Sequence, residues 1–181
     1  MSIVAILSSP RKGANCDTIV NAIADSAKAN GKDVKFFDLC KMENKNGCKS
    51  CFGCKKSGNC VQKDDVRELL EAIKSAEGVI VSAPVYFGQP CAQYRIFEDR
   101  MFSFLDPAFN LFIDKGKKVA IVTAAGSAGA QELADQIEGR FVNYFKFEPV
   151  GKVAVVTGNV PDYAAKNADV LKAAAEIGKK F

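Results

Sequence analysis

The chain has 181 residues, 48% of them hydrophobic, with 25 basic against 21 acidic side chains, a formal charge of +4 and no histidine. That length suits one domain with a single sizeable core, and the composition excludes a disordered chain. The lysines are spread out, unlike the clustered footprint of a nucleic-acid binder, and no apolar run approaches the ~18–20 residues of a membrane span.

Ile3 to Leu7 is a continuous apolar run, as expected of a parallel strand buried on both faces. It is shorter than the ~7–15-residue core of a signal peptide and lacks a preceding basic segment, so a cytoplasmic location is expected. Ile19, Val20, Ile23, Ala24 and Ala27 share one helical face, and Gly31 supplies a stop. Val34 to Leu39 reads as a second strand. After a cysteine-rich stretch, Val66, Leu69, Leu70 and Ile73 follow helical spacing, with Asp64 or Asp65 as the cap. Gly78 to Ala83 is a strand, and Phe97, Met101, Phe104 and Leu105 share a helical face. Val119 to Ala124 precedes a helix bearing Leu133, Ile137 and Phe141. Val153 to Thr157 precedes a last helix with Val170, Leu171, Ala174 and Ile177. Strands alternating with helices in this way predict a doubly wound α/β sheet.

Such a sheet takes ligands beyond the carboxyl ends of its strands, where strand order reverses. The loops after the first, third and fourth strands are therefore the places to look for function. The first runs from Ser8 to Thr18 and offers the hydroxyls of Ser8, Ser9 and Thr18, the Asn15 amide and the cations Arg11 and Lys12. At a helix N-terminus these groups suit a monoester phosphate; alternatively the segment is a plain polar turn with Asn15 as cap. Its place on the first βα turn favours phosphate. It matches neither the triphosphate nor the dinucleotide glycine fingerprint. The third-strand loop, Ala83 to Pro90, sets Tyr86 and Phe87 between prolines. They either plug the core or form a platform for a flat ring. The fourth-strand loop around Gly126 is built of small residues that permit close backbone approach.

Ser9-Pro10-Arg11-Lys12 with Asn15, then Cys48, Cys51, Cys54 and Cys60, then Asp64-Asp65, then Pro84-Val85-Tyr86-Phe87, then Asp99-Arg100 occur in that order. Together they resemble the NADPH-dependent FMN reductase-like flavoproteins, especially the iron-sulfur flavoprotein branch, over roughly the first 130 residues. The resemblance implies a flavodoxin-like fold: a five-stranded parallel sheet in the order 2-1-3-4-5 within three α/β/α layers. Residues 1–181 would form a single FMN-binding domain with a cysteine-rich loop insertion at about 41–63. It places Ser9, Arg11, Asn15, Cys16 and Thr18 around the phosphate, with Lys12 beside them. Pro84, Val85, Tyr86, Phe87 and Gly88 would follow the ribityl chain and ring, with Gly126 near the ring. It further implies an FMN-dependent oxidoreductase or electron-transfer protein, an NAD(P)H or ferredoxin-like donor, a small-molecule acceptor and a homodimer or homotetramer. No catalytic side chain is needed, because the chemistry is that of flavin N5; this agrees with the missing histidine. The alternative is a flavin- or metal-binding redox-regulatory module without turnover. Ser8 stands where the family usually has glycine and Cys16 where it has threonine or serine. A thiol is the weaker hydrogen-bond partner, so a reduced phosphate affinity is expected.

Cys48, Cys51, Cys54 and Cys60 have the spacing C-x2-C-x2-C-x5-C. Four thiolates so close suit a [4Fe-4S] cluster, with Lys49, Lys55 and Lys56 to offset its charge. A zinc site and free or redox-reactive thiols are the other two readings. Cys40 and Cys91 read as core or half-buried residues. Asp99 and Arg100 read as a helix-surface ion pair or a subunit contact.

Overall fold

The computed structural model describes residues 2–181. β1 (Ser2–Leu7), β3 (Gly78–Tyr86) and β5 (Lys118–Ala125) form the interior of a parallel sheet, with β2 (Asp33–Asp38) and β6 (Glu148–Val156) at its edges. The order is β2-β1-β3-β5-β6; β4 (Gln89–Pro90) is a two-residue antiparallel arm on the end of β3. With that arm set aside, this is the expected flavodoxin-like order.

Side chains alternate across the sheet with the strand period of two. Val4, Ile6, Val79, Val81, Val119 and Ile121 face the layer of α2 (Asp65–Ser75), α3 (Ala92–Arg100) and α4 (Ala130–Phe145). Ile3, Ala5, Ile80, Ala120 and Val122 face α1 (Asn15–Ala29) and α5 (Ala168–Gly178). Both layers are apolar because the central strands have no solvent side. No helix among the described residues is long and apolar enough to cross a membrane.

Two boundaries differ from the sequence reading. β3 continues past Ala83 to Tyr86, with Pro84 in register with Ala124 of β5, so part of the expected loop is strand. α3 ends at Arg100, and Met101–Phe104 form a 3-10 turn. A 3-10 turn stacks positions i and i+3 on one side, which sends Met101 and Phe104 into the core together, both fully buried. Leu105 then leaves in extended backbone and bridges Leu111.

The cysteine-rich segment joins β2 to α2 and contains one short 3-10 helix, Gly53–Lys56. Lys55 is buried there. Its ammonium donates to the carbonyls of Phe102 (2.8 Å) and Leu105 (2.6 Å) and lies 3.3 Å over the Phe102 ring. Lys55 therefore fastens the segment to the turn after α3 and is not the free counter-charge expected of it.

Candidate functional site

The connections leaving β1 and β3 run to opposite sides of the sheet, and a crevice of about 250 Å³ opens over their carboxyl ends. One wall is the turn after β1, carrying Ser9, Arg11 and Cys16; the other runs from Pro84 to Phe87. Ala124 to Gly126 after β5 form the floor between them.

The β1 turn presents an open helix end. α1 starts after Ala14, whose side chain has no oxygen to cap it, so its first N–H groups are left for a ligand. Asn15 is not the cap. Its amide donates to Val160 O at 2.7 Å and its oxygen accepts from Ala164 N at 2.8 Å. Asn15 thereby staples the loop after β6 against the crevice. Arg11 is exposed on the crevice wall. Lys12 lies off it, paired with Asp38 and donating to Ser9 O at 3.0 Å. Thr18 also lies off it, its hydroxyl 3.4 Å from Gly13 O. Cys16 is on the wall and buried; burial, then the charge of Asp17 and the neighbouring Cys91, push its thiol up to about 12. It is a neutral thiol at any ordinary pH. Burial also raises the Asp17 carboxyl, although that group accepts from Gly13 N at 2.9 Å. Cys91 is buried and Cys40 half-buried, and both thiols donate to Ser8 O.

On the opposite wall Tyr86 is 45% exposed and Phe87 fully exposed, so neither plugs the core. They belong to a tight hairpin: Tyr86 pairs with Gln89, and Phe87 and Gly88 both take positive φ, 52° and 76°. Two positive φ values make a primed turn matched to strand twist. Gly88 is at home there, whereas a phenylalanine is strained. Gly88 itself does not line the crevice. Gly126 does, and a Cβ on it would lie 2.5 Å from Asn159 Oδ1. Sequence reasoning passed over Thr157 and Asn159, which the β6 loop adds to the crevice. Asn159 sits at φ 64°, a left-handed position asparagine tolerates. The Gly158-Asn159 pair just after a strand was the available signal.

An open helix end with an adjacent arginine, an exposed aromatic opposite it and a floor without room for a Cβ fit a phosphorylated flat heterocycle such as FMN.

The four loop cysteines line a second, smaller cavity of about 20 Å³, room for about one water. All are free thiols, Cys48 and Cys51 exposed, Cys60 half-buried and Cys54 buried. Among the described residues no three close on a point that could hold a single metal ion. The donor set matches an iron-sulfur cluster in kind and number. Arg100 and Ser103 line the same cavity. Arg100 is not on a helix surface: it is 1% exposed, and its guanidinium forks onto Asp64 at 2.7 and 3.0 Å and donates to Asn46 O at 2.8 Å. Burial works against its charge, but Asp64 and then Cys60 hold it above the usual arginine value. Asp64 also caps α2 through Arg67 N. Asp99 pairs with Arg95 instead.

Fold and crevice define a flavodoxin-like α/β protein with an open crevice at its topological switch point. Residues 1–162 match the family described as NADPH-dependent FMN reductase, and the chain belongs to that family, an oxidoreductase family. Its relatives include an iron-sulfur flavoprotein of Methanosarcina thermophila, 37% identical over 73% of this chain and 68% of that one. Another, of Archaeoglobus fulgidus, is 32% identical over 100% of this chain and 79% of that one. In fold the chain is similar to the NAD(P)H:quinone oxidoreductase from Methanothermobacter marburgensis, with a TM-score of 0.74 at 18% identity over 99% of this chain and 95% of that one.

Proposed function

We propose that the chain binds FMN in the crevice over β1 and β3 and carries electrons from NAD(P)H or a ferredoxin-like protein to a small acceptor such as a quinone. The observation that carries this reading is the uncapped N-terminus of α1, with Arg11 beside it, facing the exposed Phe87 turn. FMN, when bound, supplies hydride acceptance at N5 and one-electron transfer. The chain's own work is positional. The N–H groups at the start of α1 and the Arg11 guanidinium hold the dianionic phosphate. Ser9 stands beside them, its hydroxyl oxygen accepting from Arg11 N at 3.2 Å. Pro84 to Phe87 form one face for the ring, and the absent side chain of Gly126 lets Asn159 close the other edge. No carboxylate, imidazole or amine lines the crevice among the described residues. Cys16, held protonated by its burial, supplies no base there.

At the second cavity, Cys48, Cys51, Cys54 and Cys60 would ligate a [4Fe-4S] cluster as a further electron store. Four thiols around one cavity suit either a cluster or zinc; the names of the relatives, iron-sulfur flavoproteins, favour the cluster. Assembly as a homodimer or homotetramer, suggested by the family resemblance, belongs to the same reading.

Anaerobic purification, an absorption spectrum, iron analysis and FMN titration test it. Flavin bands, one FMN and about four irons per chain are expected, with NADPH- or ferredoxin-driven quinone reduction. A chain that takes up no FMN overturns the crevice assignment. Flavin without iron removes the cluster, and bound flavin that neither donor reduces leaves the regulatory module.

A further inference from the structure

Buried polar atoms without partners are rare in folded proteins, and each has a reason. Seven buried side-chain atoms make no hydrogen bond among the described residues: Asp17 Oδ1, Gln62 Oε1, Glu71 Oε1, Glu77 Oε1, Arg100 Nε, Ser103 Oγ and Arg140 Nη1; of these Glu71 Oε1, Glu77 Oε1 and Arg140 Nη1 have an ion-pair partner. Three of the seven, those of Gln62, Arg100 and Ser103, belong to residues lining the small cysteine cavity. Gln62 differs from the other two: its amide nitrogen is engaged with Gly47 O at 3.1 Å, and the orphan oxygen is an acceptor. Arg100 Nε and Ser103 Oγ are donors.

Neither donor is free to find a partner elsewhere. The Arg100 fork is fixed by two bonds to Asp64 and one to Asn46 O, with the two charged side chains 1% and 3% exposed. Ser103 lies in the 3-10 turn between Phe102 and Phe104 and is 2% exposed. Leaving one such donor unsatisfied forfeits its hydration without replacement and destabilises a fold. Two on one small wall, facing four thiols, make sense if an electron-rich sulfur accepts from them.

We propose, on the cluster reading above, that Arg100 Nε–H and Ser103 Oγ–H donate hydrogen bonds to the sulfur of the group held by Cys48, Cys51, Cys54 and Cys60 and so set its reduction potential. Reduction adds negative charge to a thiolate-ligated cluster, and donors to its sulfurs favour the reduced form, raising the potential. The two are positioning and tuning residues, not ligands. Asp64 completes the arrangement by anchoring Arg100 to the N-terminus of α2, so the donor wall belongs to the helix layer and not to the cysteine segment.

The test compares the anaerobically purified wild type with Ser103→Ala and Arg100→Lys. Lysine keeps a cation against Asp64 but has no Nε–H. Iron and sulfide content, the visible spectrum and a mediated redox titration are read for each, together with thermal unfolding of the iron-free chains. Ser103→Ala is expected to keep the wild-type iron content while its reduction equilibrium shifts about tenfold toward the oxidised form, about 59 mV for one electron. Its iron-free form should unfold at the same temperature or higher, since the substitution removes an unpaired buried hydroxyl. Arg100→Lys should shift the potential in the same direction. An iron-loaded Ser103→Ala protein with the wild-type potential overturns the proposal and leaves the cluster standing. A wild type without iron overturns both.

Discussion

At the turn after β1 a single atom separates Cys16 from a hydroxyl residue, and that atom sets how well the turn can donate. The thiol is buried on the crevice wall and held protonated, its value pushed up to about 12, and it is a poor donor to a phosphate oxygen. Cys16→Thr should therefore tighten FMN binding several-fold, and Arg11→Ala should weaken it by about tenfold, the effect of one charge-assisted contact at an exposed site. Flavin fluorescence titration reads both. Asp64 poses a stability question instead. Burial alone would raise its carboxyl, but the Arg100 guanidinium and the N–H of Arg67 outweigh it and the folded value lies below the ordinary one. The stabilisation is thus complete above the unfolded value, about 3.9, and is lost as pH falls through the lower folded value. Asp64→Asn keeps a capping oxygen for α2 but strands Arg100 as a buried unpaired charge. It should lower stability by about 3–5 kcal/mol in denaturant unfolding at neutral pH, and its acid limb should be flatter than the wild type's. No local pattern joins these two residues, which lie 36 positions apart; their spacing reads equally well as two surface charges.

Among the elements, the β3–β4 hairpin is where backbone strain borders the crevice. Asparagine followed by glycine is the favoured pair for a primed two-residue turn, yet the chain holds Phe87 there at φ 52° with its ring wholly in solvent. Phe87→Asn should raise stability by about 1 kcal/mol, read as a higher midpoint in thermal unfolding, while weakening flavin uptake. An unchanged affinity would remove Phe87 from the site. The end of α3 shows why helix limits were harder to read than helix existence. Met101 and Phe104 satisfy both helical and 3-10 spacing, and only packing in the core selects the tighter turn. The cysteine segment carries no apolar periodicity, and its attachment comes from one buried lysine, Lys55, reaching a turn about fifty residues away.

At the scale of the whole molecule, the crevice is an assembly of four strand ends, and a ligand that bridges them should stabilise the fold they belong to. With FMN at about one hundred times its Kd, unfolding free energy should rise by about 2.7 kcal/mol. Calorimetry with and without the flavin reads this, and removing FMN should return the apo midpoint. The alternation of strands and helices and the buried strand interiors were legible in the amino-acid sequence, because periodicity of two or 3.6 is written in near neighbours; the strand order came from the family resemblance. Three of the four loops at the crevice were legible too, since the carboxyl edge follows from the topology alone. Folding decided the rest: that Asn15 reaches 145 positions along the chain to hold the fourth loop, bringing Asn159 to the crevice, and that Arg100 turns inward to Asp64. A polar side chain takes its partner from whatever the crossovers bring beside it, and that neighbour is set by three-dimensional packing, not by distance along the chain.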